Sequence, residues 1–182
     1  MLSARTALPA LFAGAALLLA TAGCHSKSAP TPENFTTALN AHFLDHPDCL
    51  LPDAPRFPLE TSDPTQLKQM NALVAAQLLT VEEERDIHVS RFTTTPAGTR
   101  HAPRFCYGHR VVSSIDSFTP PAAANGFIES KVTYHYTMED VPIWADSTGI
   151  RAAFPAFAHA TTGTASDTTT MASVPTGWQV PD

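Results

Sequence analysis

The sequence predicts an α+β protein, with helices first and then a three- or four-stranded antiparallel sheet. Three observations carry that prediction. Two segments, opening at Thr31-Pro32 and at Asp63-Pro64, set a capping side chain before a proline in the first helical position and continue with apolar residues at helical spacing. The run Ile128–Met138 alternates, with Ile128, Val132, Tyr134, Tyr136 and Met138 against Glu129, Lys131, Thr133, His135 and Thr137. Turn formers, Asn125-Gly126 and Pro175-Thr176-Gly177, stand between segments rich in β-forming residues.

In chain order, the first helix starts at Pro32, buries Phe35, Ala38, Leu39, His42 and Phe43, and stops before Pro47. Pro52, Pro55 and Pro58 make the stretch from Asp48 to Pro58 a loop. The second helix has Gln66 three residues after its cap, as in a capping box, and a stripe of Leu67, Met70, Leu73, Val74 and Leu78. It is expected to run to about Leu79, with Glu82, Glu83 and Glu84 as an acidic turn before a strand over Ile87–Thr94. Phe105–Thr119 reads as a strand with Phe105, Tyr107, Val111 and Ile115 on one face, and Pro120–Gly126 as the turn-rich link to the next. Asp140 is expected to cap a short helical piece bearing Trp144. A second piece carries Ile150, Ala153 and Phe154, and both would roof the sheet. Thr168–Val174 and Trp178–Val180 form a closing hairpin.

The first residues belong to a different kind of element. Arg5 precedes an apolar run from Ala7 to Ala20, which is the length of a signal-peptide core and too short to span a bilayer. The stretch Leu17-Leu18-Leu19-Ala20-Thr21-Ala22-Gly23-Cys24 resembles the lipobox of bacterial lipoproteins. The resemblance implies cleavage before Cys24, acylation of its thiol and attachment of the chain to a lipid bilayer. Residues 1–23 would then be the signal peptide, 24–31 a tether and 32–182 a single α+β domain. His25 stands where Asp would favour retention at the inner membrane, so the resemblance points to the periplasmic face of the outer membrane.

Met70–Thr80, followed by Phe92–Gly98, resembles the helix-and-wing half of a winged-helix domain, over residues 64–100. The resemblance implies a winged-helix-like shape for the N-terminal helices. Winged helices usually bind DNA, but charge sets that activity aside here. The chain carries 11 Lys+Arg against 17 Asp+Glu, a formal net charge of −6, and loss of Arg5 makes it one unit more acidic. Such a surface repels phosphate backbones, so no nucleic-acid partner is expected.

Chemistry leaves few traces. There is no nucleophile elbow, phosphate loop, dinucleotide fingerprint or His-Glu-x-x-His, so neither an enzyme nor a cofactor is expected. His42 and His46 are four apart on the first helix, the spacing that sets two imidazoles on one face. A wider set adds Cys49, Cys106 and His109. Against it, two helical ligands do not close a site, and export favours a Cys49–Cys106 disulfide, the one pairing left once Cys24 is acylated. Tyr107, Tyr134 and Tyr136 read as core rather than as a ligand platform. The leading expectation is a membrane-anchored envelope lipoprotein with a non-enzymatic binding or scaffolding role towards an envelope protein or polymer. The alternatives are a zinc- or copper-handling lipoprotein using His42 and His46 and, more weakly, an envelope hydrolase.

Overall fold

The computed structural model describes residues 26–181, so Cys24 and the signal-peptide stretch lie outside the described residues. The chain builds two antiparallel sheets, each with helices packed on it. Helix α1, Pro32–Asp45, is capped by Thr31, whose Oγ1 accepts from the Asn34 N–H at 3.3 Å. It ends where the His46 N–H donates to the His42 carbonyl, one residue before Pro47.

The loop that follows holds a three-residue strand, β1 (Leu59–Thr61), ahead of α2, Pro64–Ala75. Asp63 caps α2 by accepting from the Gln66 N–H at 2.8 Å. The helix ends about four residues before the position the apolar stripe suggested. Gln77 takes a left-handed conformation (φ 62°), and the Leu78 and Gln77 N–H groups donate back to the Leu73 and Val74 carbonyls. That is a Schellman ending with glutamine where glycine is usual. Leu78 and Leu79 then leave the helix, and Leu79 begins β2, Leu79–Glu84. β3, Val89–Thr94, lies between β1 and β2. Glu82, Glu83 and Glu84, expected as a turn, are therefore strand residues opposite Arg91, Ser90 and Val89. Their charge suits an exposed edge strand, which it protects from pairing with another chain.

The larger sheet has five strands: β4 (His109–Phe118), β5 (Ala122–Ala124), β6 (Phe127–Glu139), β7 (Ala165–Val174) and β8 (Gly177–Gln179). The expectation of one sheet with three or four strands is thus corrected to two sheets. β2 was concealed by its acids and β5 by its alanines, which are poor β-formers. The order is β4-β6-β7-β8, with β5 beside the other half of β6. Alternation along β6 holds: Ser130, Val132, Tyr134 and Tyr136 are buried, though Ile128 is not.

Helix α1 covers that face. Phe35, Leu39 and Phe43 join Val112, Val132, Tyr134, Met171 and Trp178 in one core. Asn40 on α1 accepts the Val112 N–H at 2.8 Å, beside a bulge in edge strand β4. The expected roof is corrected accordingly. Trp144 sits in a turn rather than a helix, and Asp140 caps nothing. Ser147, not Asp140, caps α3 (Thr148–Ala153), and α4 follows over Pro155–Ala160. Phe154, Phe157 and Ile150 join Met70, Leu73, Phe92 and Phe105 in a second core, with Trp144 packed at its border.

Candidate functional site

The disulfide borders the second core, to which its neighbours Leu50, Phe105 and Tyr107 belong. Cys49 and Cys106 are bonded and form an isolated antiparallel bridge. Around them the Tyr107 N–H donates to the Asp48 carbonyl (2.8 Å), the Asp48 N–H to Gly108 (2.9 Å) and the Leu50 N–H to Phe105 (3.1 Å). Gly108, at φ 128°, lets this ladder press on β6, because a Cβ there would stand 2.2 Å from the Glu139 carbonyl oxygen. The bend delivers Arg104, Tyr107 and Arg110 to one opening.

Arg110, near the start of β4, is the centre of that opening. Its Nε and Nη2 grip both oxygens of Asp48, at 2.9 and 3.2 Å. Its Nη1 donates to Asp167 at 2.7 Å and reaches the Tyr134 hydroxyl at 3.4 Å. The guanidinium carbon lies 4.7 Å from the Tyr136 ring centre and 5.3 Å from that of Phe43. One side chain thus ties the loop after α1, strand β4 and strand β7 together. Burial opposes the charge of Arg110, but the hydrogen bond and attraction of Asp48, with a further bond from Asp167, outweigh it, and its pKa is raised. Burial, reinforced by Asp48, pushes the Tyr107 phenol far up. Burial also raises Tyr134 and Tyr136. All three phenols stay neutral at ordinary pH.

Above this network lies a cleft of about 530 Å³ with Asp48, Tyr107, Arg110, Tyr136 and Asp167 at its base and Arg104 and His159 at its rim. A narrower cavity of about 270 Å³ adjoins it, lined by Leu50, Gln69, Phe154, Pro155 and Phe157. Cys49, Pro52, Tyr107 and Ala156 border both. The result is one groove with a charged end and an apolar end, floored by the disulfide. Arg110 has little donor capacity left, so it acts as a strut. Arg104, His159, Ser166 and Asp167 also line the cleft. A second cleft of about 430 Å³, at Met138, Val141 and Ile143, has its cation Arg151 engaged by Asp146 and Thr161.

The residues singled out from sequence fare differently. Cys24 lies outside the described residues. Tyr107, Tyr134 and Tyr136 are core. His42 and His46 stack face to face, ring centres 4.1 Å apart, and the His46 Nδ1 is 2.8 Å from the His42 carbonyl oxygen. Stacked rings direct their nitrogens side by side rather than onto a shared point. The wider ligand set has lost both thiolates to the disulfide, and His109 stands 3.5 Å from Asp140. Among the described residues, no three His, Cys, Asp or Glu side chains are grouped to hold a metal. Elsewhere, His135 pairs with Asp116 at 2.9 Å and His101 packs on Trp144. Sequence reasoning missed Arg110, Asp48 and Asp167. The available hint was an arginine directly before the β-forming pair Val111-Val112.

Fold and groove together define a two-sheet α+β protein in which a disulfide ties the loop after α1 to the approach to β4. No protein-family model, no curated protein and no solved structure matches this chain.

Proposed function

We propose that the protein is a membrane-anchored envelope lipoprotein, held by acylated Cys24 on the periplasmic face of the outer membrane, with a non-enzymatic binding or scaffolding role. Its partner is an envelope protein or polymer, taken by the groove beside Cys49–Cys106. Support comes first from the lipobox-like stretch ending at Cys24. The disulfide adds to it, since such bonds persist in oxidising compartments. The observation that carries the binding role is the Arg110 network. It rigidifies the base of an open groove while engaging the Arg110 guanidinium within the protein, an arrangement suited to presenting a surface rather than to proton transfer or nucleophilic attack. The unit β1-α2-β2-β3 is read as winged-helix-like in shape only. No DNA-binding role goes with it.

The binding role is tested by a photo-crosslinking amino acid at the exposed Ala156 on the groove floor, in cells making the full chain. The expected result is one discrete adduct, lost when Arg104→Glu reverses the rim charge. Adducts no different from those of a probe placed at Ile143 would remove the groove from the account.

A further inference from the structure

At the end of the large sheet opposite the groove, we infer, the β5–β6 hairpin docks into the lipid bilayer beside the acylated N-terminus. The inference rests on the reading of Cys24 as the anchor.

Residues 26–31 are laid down on the body. The Trp178 indole donates to the Ala29 carbonyl at 3.1 Å, and the Asn34 amide donates to the Ser26 and Ala29 carbonyls at 3.0 and 2.9 Å. One residue, His25, separates Ser26 from Cys24, and the two steps reach at most about 7 Å. The acyl chains are therefore tied close to this end of the sheet, and the surface around Trp178 meets the membrane.

That surface is apolar. Ile128, Ser173 and Trp178 are paired in turn across β6, β7 and β8, so Ile128 lies about 10 Å from Trp178. Ile128 continues the buried stripe of β6 past the start of α1 and is 47% exposed. Phe127 is also 47% exposed, and Phe118, its ring centre 5.0 Å from that of Phe35 and tilted to it, is 37% exposed. β5 is three alanines, which pair the edge of β6 without covering Phe127 or Ile128. From Thr119 to Ile128 no residue is charged, and the hairpin closes through Asn125 and Gly126, both at positive φ. A closed hairpin satisfies its facing backbone groups internally, which entry into the interface requires. Position 143 supplies the control. Ile143 is 94% exposed, beside Met138, and β6 spans about 33 Å from Ile128 to Met138.

The test uses full-length acylated protein, purified from membranes and reconstituted in phosphatidylethanolamine–phosphatidylglycerol vesicles. Phe127→Cys or, separately, Ile143→Cys carries an environment-sensitive fluorophore. Ile128→Cys is a second hairpin site should the first disturb folding. The expected result is flotation with vesicles, a blue-shifted emission at 127 quenched by a lipid-soluble quencher, and water-like emission at 143. Flotation with water-like emission at the hairpin sites would overturn the docking and leave the anchor standing. Failure to float would overturn both. A blue shift already present in the acyl-free Cys24→Ala precursor without vesicles would show the face covered by protein rather than by lipid, and would also overturn the docking.

Discussion

Arg110 shows how much a single side chain organises. Replacing it with alanine leaves Asp48 and Asp167 facing each other without a cation and uncovers the faces of Phe43 and Tyr136. The site is partly open to water, so the cost is set below that of a fully buried pair, at about 2–3 kcal/mol. Urea unfolding of Arg110→Ala should show that loss, and a loss below about 0.5 kcal/mol would mean the network is ornamental. The tyrosines give a pH dependence of definite sign. The chain has 3 tyrosines, and all have pKa values raised above the ordinary 10.0 by burial. The unfolded chain ionises them near that value while the folded one does not. Their contribution is thus fully present below it and is lost as pH rises above it. Ultraviolet titration should show phenolate appearing only with unfolding, and gradual ionisation of the folded protein at ordinary tyrosine pH would contradict the burial. The tyrosines were legible in the sequence and the arginine network was not. Tyr134 and Tyr136 announced themselves as core by alternation, but Asp48, Arg110 and Asp167 come from three distant segments that no local pattern connects.

At the scale of elements, legibility followed local chemistry. α1 carries its cap, its N1 proline and its stopping proline in the sequence, and it was read nearly to the residue. α2 overran because its last turn is ended by Gln77 in a left-handed conformation, which the side chain does not advertise. Gln77→Gly should relieve that strain and raise stability by about 1 kcal/mol in denaturant unfolding. No gain would mean that side-chain contacts already compensate it. β2 was hidden because its acids read as a turn, and tertiary pairing with β3 overrode that preference. The contact between this hairpin and the following turn is tight at Gly98, where a Cβ would fall 1.8 Å from the Leu78 carbonyl oxygen. Backbone must move to admit it, so Gly98→Ala should destabilise the protein by about 2–3 kcal/mol.

Across the whole molecule, the disulfide joins the loop after α1 to the approach to the large sheet, at a sequence separation of 57. In the chain-entropy model its loss costs about 4 kcal/mol. The pairing was legible from sequence because counting thiols leaves one partner, whereas the groove over it was not, because grooves belong to the packing of elements. The account's central claim is that Cys24 is acylated and is the chain's attachment to the bilayer. The most direct measurement follows full-length protein and Cys24→Ala through carbonate-washed membranes, with intact mass spectrometry of the membrane fraction. The claim requires the parent chain to appear in membranes, cut before Cys24 and heavier by its acyl chains, and the variant to be an unprocessed precursor absent from washed membranes. A Cys24→Ala chain that stays with the washed membranes, or a parent chain that carries no lipid at Cys24, would contradict it.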